Sequence, residues 1–180
     1  MQPMVSEPQP SESRHQQKVS RQSGQALLEF ALVAVVLMMV LFAIIDFSRI
    51  LIIHEIMINV SREGANLISR GTDATNAITA LVTSAKPLNI TDNGYIILSS
   101  VFNSNGTLRV TSQQKIGGKS AASHVGTTSS TTVSLPNPNL PPPNQTLWVA
   151  EVFYVFTPIT PLGKLLGVTL PTTNYDAAFF

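Results

Sequence analysis

The chain has 180 residues, with 11 basic and 10 acidic side chains, which gives a formal net charge of +1 at pH 7. This near-balance argues against a nucleic-acid-binding protein, which would concentrate basic residues on one face. There is no cysteine, so disulfides, thiolate zinc sites and cysteine nucleophiles are excluded. The length allows one membrane helix and one modest folded domain.

The sequence contains no motif typical of a metalloprotease, a serine hydrolase or a phosphate-binding loop. Its three histidines, His15, His54 and His124, fall in a polar tail, a predicted helix and a low-complexity segment. We therefore predict that the protein is not an enzyme, and we predict no catalytic, cofactor-binding or metal-binding residue.

Residues 1–23 are polar, contain several prolines, and have no apolar periodicity, so they are predicted to be disordered. Arg14, Lys18 and Arg21 precede the apolar run that follows, whereas Asp46 and Arg49 after that run cancel each other. Because positive residues are retained on the cytoplasmic side, the N-terminus is predicted to be cytoplasmic and the C-terminal domain extracytoplasmic.

Residues 26–45 read ALLEFALVAVVLMMVLFAII, in which Glu29 is the only charge. A helix of about 20 residues covers about 30 Å, the thickness of a bilayer's hydrocarbon core. The apolar region of a cleaved signal peptide is shorter, about 7–15 residues, and ends in small residues. The run is therefore predicted to be a retained transmembrane segment.

The helix is predicted to continue beyond the membrane, over residues 25–70, because no proline or glycine lies between Gln25 and Gly64. Apolar residues recur at helical spacing in its upper half, which makes that half amphipathic. They are Ile53, Ile56, Met57, Val60, Gly64, Leu67 and Ile68. Gly71 is the predicted stop.

The rest of the chain predicts a small antiparallel sheet. Residues 95–102 and 108–116 flank Asn105 and Gly106, a strong hairpin signal, and residues 148–156 and 174–180 supply a third and a short fourth strand. Residues 73–85 predict a short helix. The predicted fold class is α+β: a long N-terminal helix packed on a small antiparallel sheet, with its apolar stripe against Trp148 and Phe156.

Residues 117–146 are rich in Ser, Thr, Gly, Asn and Pro. A loop of about thirty residues is unusual in a small domain and indicates either disorder or a functional excursion. Disorder is the prediction, within an extracytoplasmic head that spans residues 71–180.

Residues 24–29, GQALLE, resemble the processing site of type IV pilin-like precursors. In that family a basic leader ends in glycine, a membrane-embedded peptidase cuts after it, and the fifth mature residue is an acid. Glu29 holds that fifth place if Gln25 is the first. The pair Glu29 and Phe30 also resembles the Glu-Phe/Tyr pair of TadE-like pseudopilins of tight-adherence (Flp-type) pili. Residues 45–49, 60–65 and 152–158 extend the similarity.

The resemblance implies a minor pilin-like subunit that acts in pilus assembly or initiation. Prepilin peptidase would remove the leader, residues 1–24, by cutting between Gly24 and Gln25. The implied partners are this peptidase, other pilin or pseudopilin subunits, an inner-membrane assembly platform and membrane lipid. The implied location is the inner (cytoplasmic) membrane, as a single-pass protein, with possible incorporation into a pilus. Glu29 and Phe30 would serve processing and subunit register.

Elementary electrostatics supports a role for Glu29. Cutting after Gly24 creates an α-amino group, mostly cationic at pH 7, about 6 Å along the helix from Glu29. In the bilayer the two charges can neutralise each other, and in a filament the amine can face Glu29 of a neighbouring subunit. One charged pair in an apolar interface is a good device for specifying register.

Other interpretations remain open. Glu29 could be a carboxylate that snorkels to the headgroups of a plain signal anchor. The chain could be a pseudopilin of another secretion filament, or an unprocessed single-pass anchored extracytoplasmic binding or accessory protein. Arg62 and Glu63 beside Gly64 are interpreted as two solvated charges next to a glycine that lets the helix approach the sheet.

Overall fold

The computed structural model describes residues 12–128, 133–135, 140–161 and 173–180, and the side chains from residue 24 onward within these ranges. The chain divides into two compact units, Met1–Ile44 and Ile45–Phe180. The second unit contains the sheet and the helices packed on it.

The first helix, α1, runs over Glu12–Ser69. It begins earlier than residue 25, which corrects the prediction of disorder for the part of the leader that the structure describes. Residues 12–23 contain no proline or glycine and several good helix formers, so they can extend an existing helix without a new nucleation cost. At the other end, Gly71 adopts a φ of 84° and donates to the Ile68 carbonyl at 3.1 Å, which closes the helix as its glycine predicts.

Four antiparallel strands follow among the described residues: β1 (Gly94–Ser104), β2 (Thr107–Gly117), β3 (Thr146–Val155) and β4 (Thr173–Phe179). Their order in the sheet is β2-β1-β3-β4. Asn105 and Gly106 both have positive φ, 51° and 94°, as a tight hairpin between β1 and β2 requires. The predicted α+β fold with a small antiparallel sheet is confirmed.

Two short helices follow α1 and precede β1 in the sequence. The predicted one, α2 (Ala74–Ser84), begins after Asp73, whose carboxylate accepts from the N–H groups of Thr75 and Asn76. The other, α3 (Ile90–Asn93), is absent from the sequence predictions. Four residues are too few to show helical periodicity, although Asn89 caps it in the ordinary way.

One face of α1 packs with α2 against the sheet, so the predicted association of the apolar stripe with the sheet is confirmed. The buried members of this core include Ile53, Met57, Val60, Ile68, Leu81, Ile96, Leu98, Ala150, Val152 and Phe156. Ile56, Leu67 and Trp148 are only half-buried at its margin. The centre of the helix face therefore runs through Met57 rather than through Ile56.

Gly64 marks the closest approach of α1 to its neighbours. A Cβ atom at this position would lie 2.9 Å from Leu81 Cδ1 and 3.0 Å from Ala150 Cβ, closer than carbon atoms normally approach. The adjacent charges, Arg62 and Glu63, are exposed. These facts support the packing interpretation of this trio.

Met57→Ala is expected to destabilise the unit Ile45–Phe180 by about 2–5 kcal/mol, because Met57 is fully buried and its truncation leaves a cavity. That loss is a large part of the ordinary stability of a domain, about 5–15 kcal/mol. Thermal unfolding of the full chain in detergent, followed by near-ultraviolet circular dichroism, measures it. Ile56→Ala should cost less, and the exposed control Asn59→Ala should change little. Equal melting temperatures for the Met57 and Asn59 variants would contradict this description of the core.

The described part of residues 117–146 makes contacts that a disordered loop would lack. Val125 is buried in a second apolar cluster with Val101, Val110 and Val149 on the sheet face. The Ser134 N–H donates to the Val125 carbonyl at 3.0 Å. Residues 129–132 and 136–139 of this predicted loop, which include Pro136 and Pro138, lie outside the described residues.

Candidate functional site

Gly24 lies on the exposed surface of α1 with helical backbone. Among the described residues, a Cβ atom there would have no neighbour within 4 Å. Glycine inside a helix costs about 1 kcal/mol relative to alanine. Neither packing nor backbone conformation within the chain therefore requires glycine at this position.

Gln25, Glu29 and Phe30 lie within the next two turns of the same helix, and all three are exposed. The Gln25 side-chain amide donates to Glu29 Oε1 at 3.2 Å, across one helical turn. The structure thus places the side chain of the predicted first mature residue beside the predicted acid. Phe30, 71% exposed, extends from the same apolar surface.

The stem, residues 26–45, is apolar on all sides apart from Glu29. Its large side chains are mostly more than half exposed, among them Leu27, Leu28, Leu32, Val33, Leu37, Val40 and Leu41. The helical stretch Gly24–Ser69 includes a window long and apolar enough to cross a membrane, and none of that window is buried within the described chain. A helix that is apolar all round is suited to lipid or to other apolar helices. It suggests a single-pass membrane anchor.

Asp46 and Arg49 follow the stem, and each has a partner in the segment after β3. Asp46 is only 3% exposed and accepts from the Ile159 N–H at 3.3 Å and from the Thr160 hydroxyl. Arg49 Nη1 donates to the Thr157 carbonyl at 3.4 Å, and its guanidinium lies 5.4 Å from the centroid of the Phe156 ring. The sequence predicted only that these charges cancel, because no local pattern can reveal a partner more than a hundred residues away.

Glu151, on β3, is a second buried carboxylate, and sequence reasoning missed it. It accepts from the His124 N–H at 2.8 Å, from the Tyr175 hydroxyl at 3.1 Å and from the Ser123 hydroxyl. Burial, followed by the Glu151 charge, raises the pKa of the Tyr175 phenol, which keeps it a hydrogen-bond donor. The cluster fixes residues 123–124 to the sheet. Alternation along β3, which places residue 151 on the buried face of Val149, could have revealed it.

The comparisons with known proteins are informative for the helix. No curated protein and no solved structure matches the chain significantly. The family model described as TadE-like protein matches residues 24–66. This range begins at Gly24 and includes the stem, Asp46, Arg49 and most of the part of α1 that follows the stem. The predicted resemblance is thus confirmed over residues 24–66, where the chain is similar to the TadE-like family, and the match is consistent with a pilus-associated protein.

Proposed function

We propose that this chain is a minor pilin-like subunit, a pseudopilin, of a tight-adherence pilus, and that it acts in pilus assembly or initiation. The observation that carries the proposal is an exposed apolar stem that opens with Gly24, where the TadE-like match also begins. The fold itself does not need glycine at that position. A requirement imposed by a peptidase explains it.

In this function the chain is first a membrane-inserted precursor, and prepilin peptidase cuts it between Gly24 and Gln25. The exposed stem offers the same apolar surface to lipid and to neighbouring stems. Transfer from bilayer to filament core is physically possible because both environments are apolar. The new amine of one subunit would meet Glu29 of another, and this charged pair would set the register of otherwise featureless stems.

The function implies an inner-membrane location, with the N-terminus in the cytoplasm and the head outside. The partners would be prepilin peptidase, other pilin or pseudopilin subunits, the assembly platform and membrane lipid. The positive residues that precede the stem support this orientation.

The proposal is tested by the mass and N-terminal sequence of the protein isolated from cells that express prepilin peptidase. We expect loss of residues 1–24, which leaves 180 − 24 = 156 residues that begin at Gln25. An intact precursor under these conditions would instead support an unprocessed anchored accessory protein. A processed protein found in a different secretion filament, and not in tight-adherence pili, would support the pseudopilin class but overturn the pilus assignment.

A further inference from the structure

Exposed apolar side chains continue beyond residue 45, into the unit Ile45–Phe180. Phe47, Leu51 and Ile52 on α1 are 61%, 53% and 53% exposed, and Ile159 in the segment after β3 is 66% exposed. Single exposed apolar residues are normal on a protein surface. A group of them beside a candidate membrane span calls for a specific environment.

Polar groups in this region are satisfied inside the chain. Asp46 is buried and receives two hydrogen bonds from residues 159 and 160, and Arg49 donates to a backbone carbonyl. Asp46 is shielded from solvent, so its carboxylate needs these donors whatever medium surrounds the protein. The pairing also suits a medium of low polarity, where an unpaired polar group costs several kcal/mol.

The backbone of residues 157–161 follows the same rule. Two of its five residues, Pro158 and Pro161, have no N–H to satisfy. The N–H of Ile159, between them, is taken up by Asp46. The Thr157 carbonyl receives Arg49. The segment thus presents the Ile159 side chain while much of its backbone hydrogen-bonding capacity is removed or satisfied.

The hydrogen bond to Asp46 places Ile159 beside the first helical turn after the predicted span. Residues 46–52 extend that span by about 10 Å at about 1.5 Å per residue. The headgroup regions add about 10–15 Å to the hydrocarbon core in total, about 5–8 Å on each side. Counted along the chain, Phe47 therefore falls within the length expected for the interfacial region, and Ile159 is bonded to the adjacent Asp46. Leu51 and Ile52 fall at the outer limit of that length.

We propose that Phe47, Leu51, Ile52 and Ile159 form an interfacial surface by which the unit Ile45–Phe180 contacts the lipid bilayer, and that Asp46 is the positioning residue that holds Ile159 in it. The partner is the boundary between lipid headgroups and acyl chains. The proposal rests on membrane anchoring and is independent of cleavage and of pilus assembly.

The absence of cysteine makes single-cysteine labelling of the full chain straightforward. Ile159→Cys, Phe47→Cys and the control Thr107→Cys would each carry an environment-sensitive nitrobenzoxadiazole label, in phosphatidylcholine vesicles with or without brominated acyl chains. Thr107 is exposed and pairs with Ser104 at one end of β1. At the other end of β1, Gly94 pairs with Tyr154, near the end of β3 that leads to residue 159. Brominated lipid should quench the labels at 47 and 159, whereas the label at 107 should respond only to aqueous iodide.

A label at 159 that iodide quenches as strongly as the label at 107 would overturn the proposal. So would a label at 159 shielded from both quenchers, which would indicate that protein and not lipid covers this surface. Because the full-length precursor can be used, failure here is distinguishable from failure of the proposed pilus function.

The role of Asp46 is tested in the labelled Ile159→Cys and Phe47→Cys backgrounds. Asp46→Ala removes the acceptor for both residues of the segment, so lipid quenching should be lost at 159 and kept at 47. Asp46→Asn retains an acceptor for the Ile159 N–H and should restore most of the quenching. Thr160→Val removes only the hydroxyl that donates to Asp46, so it should lower the lipid quenching at 159 partially. This second variant tests the same contact without changing Asp46, in case Asp46→Ala perturbs the fold. Unchanged quenching at 159 in both the Asp46→Ala and Thr160→Val proteins would show that Asp46 does not position the segment.

Discussion

Replacing Gly24 by Val is expected to abolish removal of residues 1–24 and to leave the full-length precursor in the inner membrane. A Cβ atom at this position has no neighbour within 4 Å in the part of the chain that the structure describes, so folding and insertion should be unaffected. The expected effect arises outside the fold, because a peptidase that cuts after residue 24 must approach the backbone there. Immunoblotting of membranes and the intact mass of the purified protein measure the outcome.

Ala26→Val is the matched control for Gly24→Val. It adds a branched apolar side chain two residues away, on the mature side of the predicted bond, and residue 26 is equally exposed. The control should be processed at the normal position. Normal processing of the Gly24 variant, or a mature N-terminus elsewhere in the wild-type protein, would rule out the proposed cleavage site.

Much of the fold follows from local signals in the sequence. The Asn105-Gly106 pair between two candidate strands predicts the β1–β2 hairpin, and the positive φ angles of both turn residues explain why. The long helix follows from the absence of breakers, and Gly71 marks its end because glycine readily adopts the positive φ seen there.

The centre of the α1 packing face could not be fixed from periodicity alone. Residues three and four apart share a helix face, so the pattern includes Ile56 and Leu67 at the margins together with Met57 and Val60 at the centre. The centre of this packing face is instead determined by the close approach of Gly64 to Leu81 and Ala150. That contact depends on the placement of α2 and β3, which a single helical pattern does not contain.

The candidate site divides in the same way. The processing residues are contiguous, so the sequence predicts them as a group, and their assignment stays a prediction. The role of Asp46 is different, because its hydrogen-bond donors belong to residues 159 and 160, more than a hundred residues later in the sequence. The same holds for Glu151, because the hydroxyl groups that donate to it, those of Ser123 and Tyr175, come from separate segments of the chain. Both carboxylates are buried by tertiary contacts that no local composition specifies.

Glu29→Gln is expected to separate membrane anchoring from assembly. The substitution keeps size and shape, and a glutamine at 29 can still accept from the Gln25 amide, so the local geometry of the stem should persist. An ionised side chain costs roughly 2.5–3.5 kcal/mol at the bilayer centre and less near a helix end. Insertion should therefore be unharmed or slightly improved.

Filament formation is where the loss of charge should act. If the amine of a neighbour's Gln25 meets Glu29, the variant leaves that cation without its partner in an apolar contact, which is strongly unfavourable. Membrane level should stay near normal while pilus yield, measured in the sheared fraction, falls sharply. Processing must be followed in the same strain, because the peptidase itself could require the acid.

Glu63→Gln is the matched control, because it makes the same chemical change at an exposed position of the same helix, outside the predicted membrane span. It should leave membrane level, processing and pilus yield unchanged. A processed Glu29→Gln protein that supports a wild-type yield of pili would show that the carboxylate is incidental to assembly. In that case Glu29 would be a carboxylate that reaches the headgroups from a plain anchor, and the stem would need another source of register.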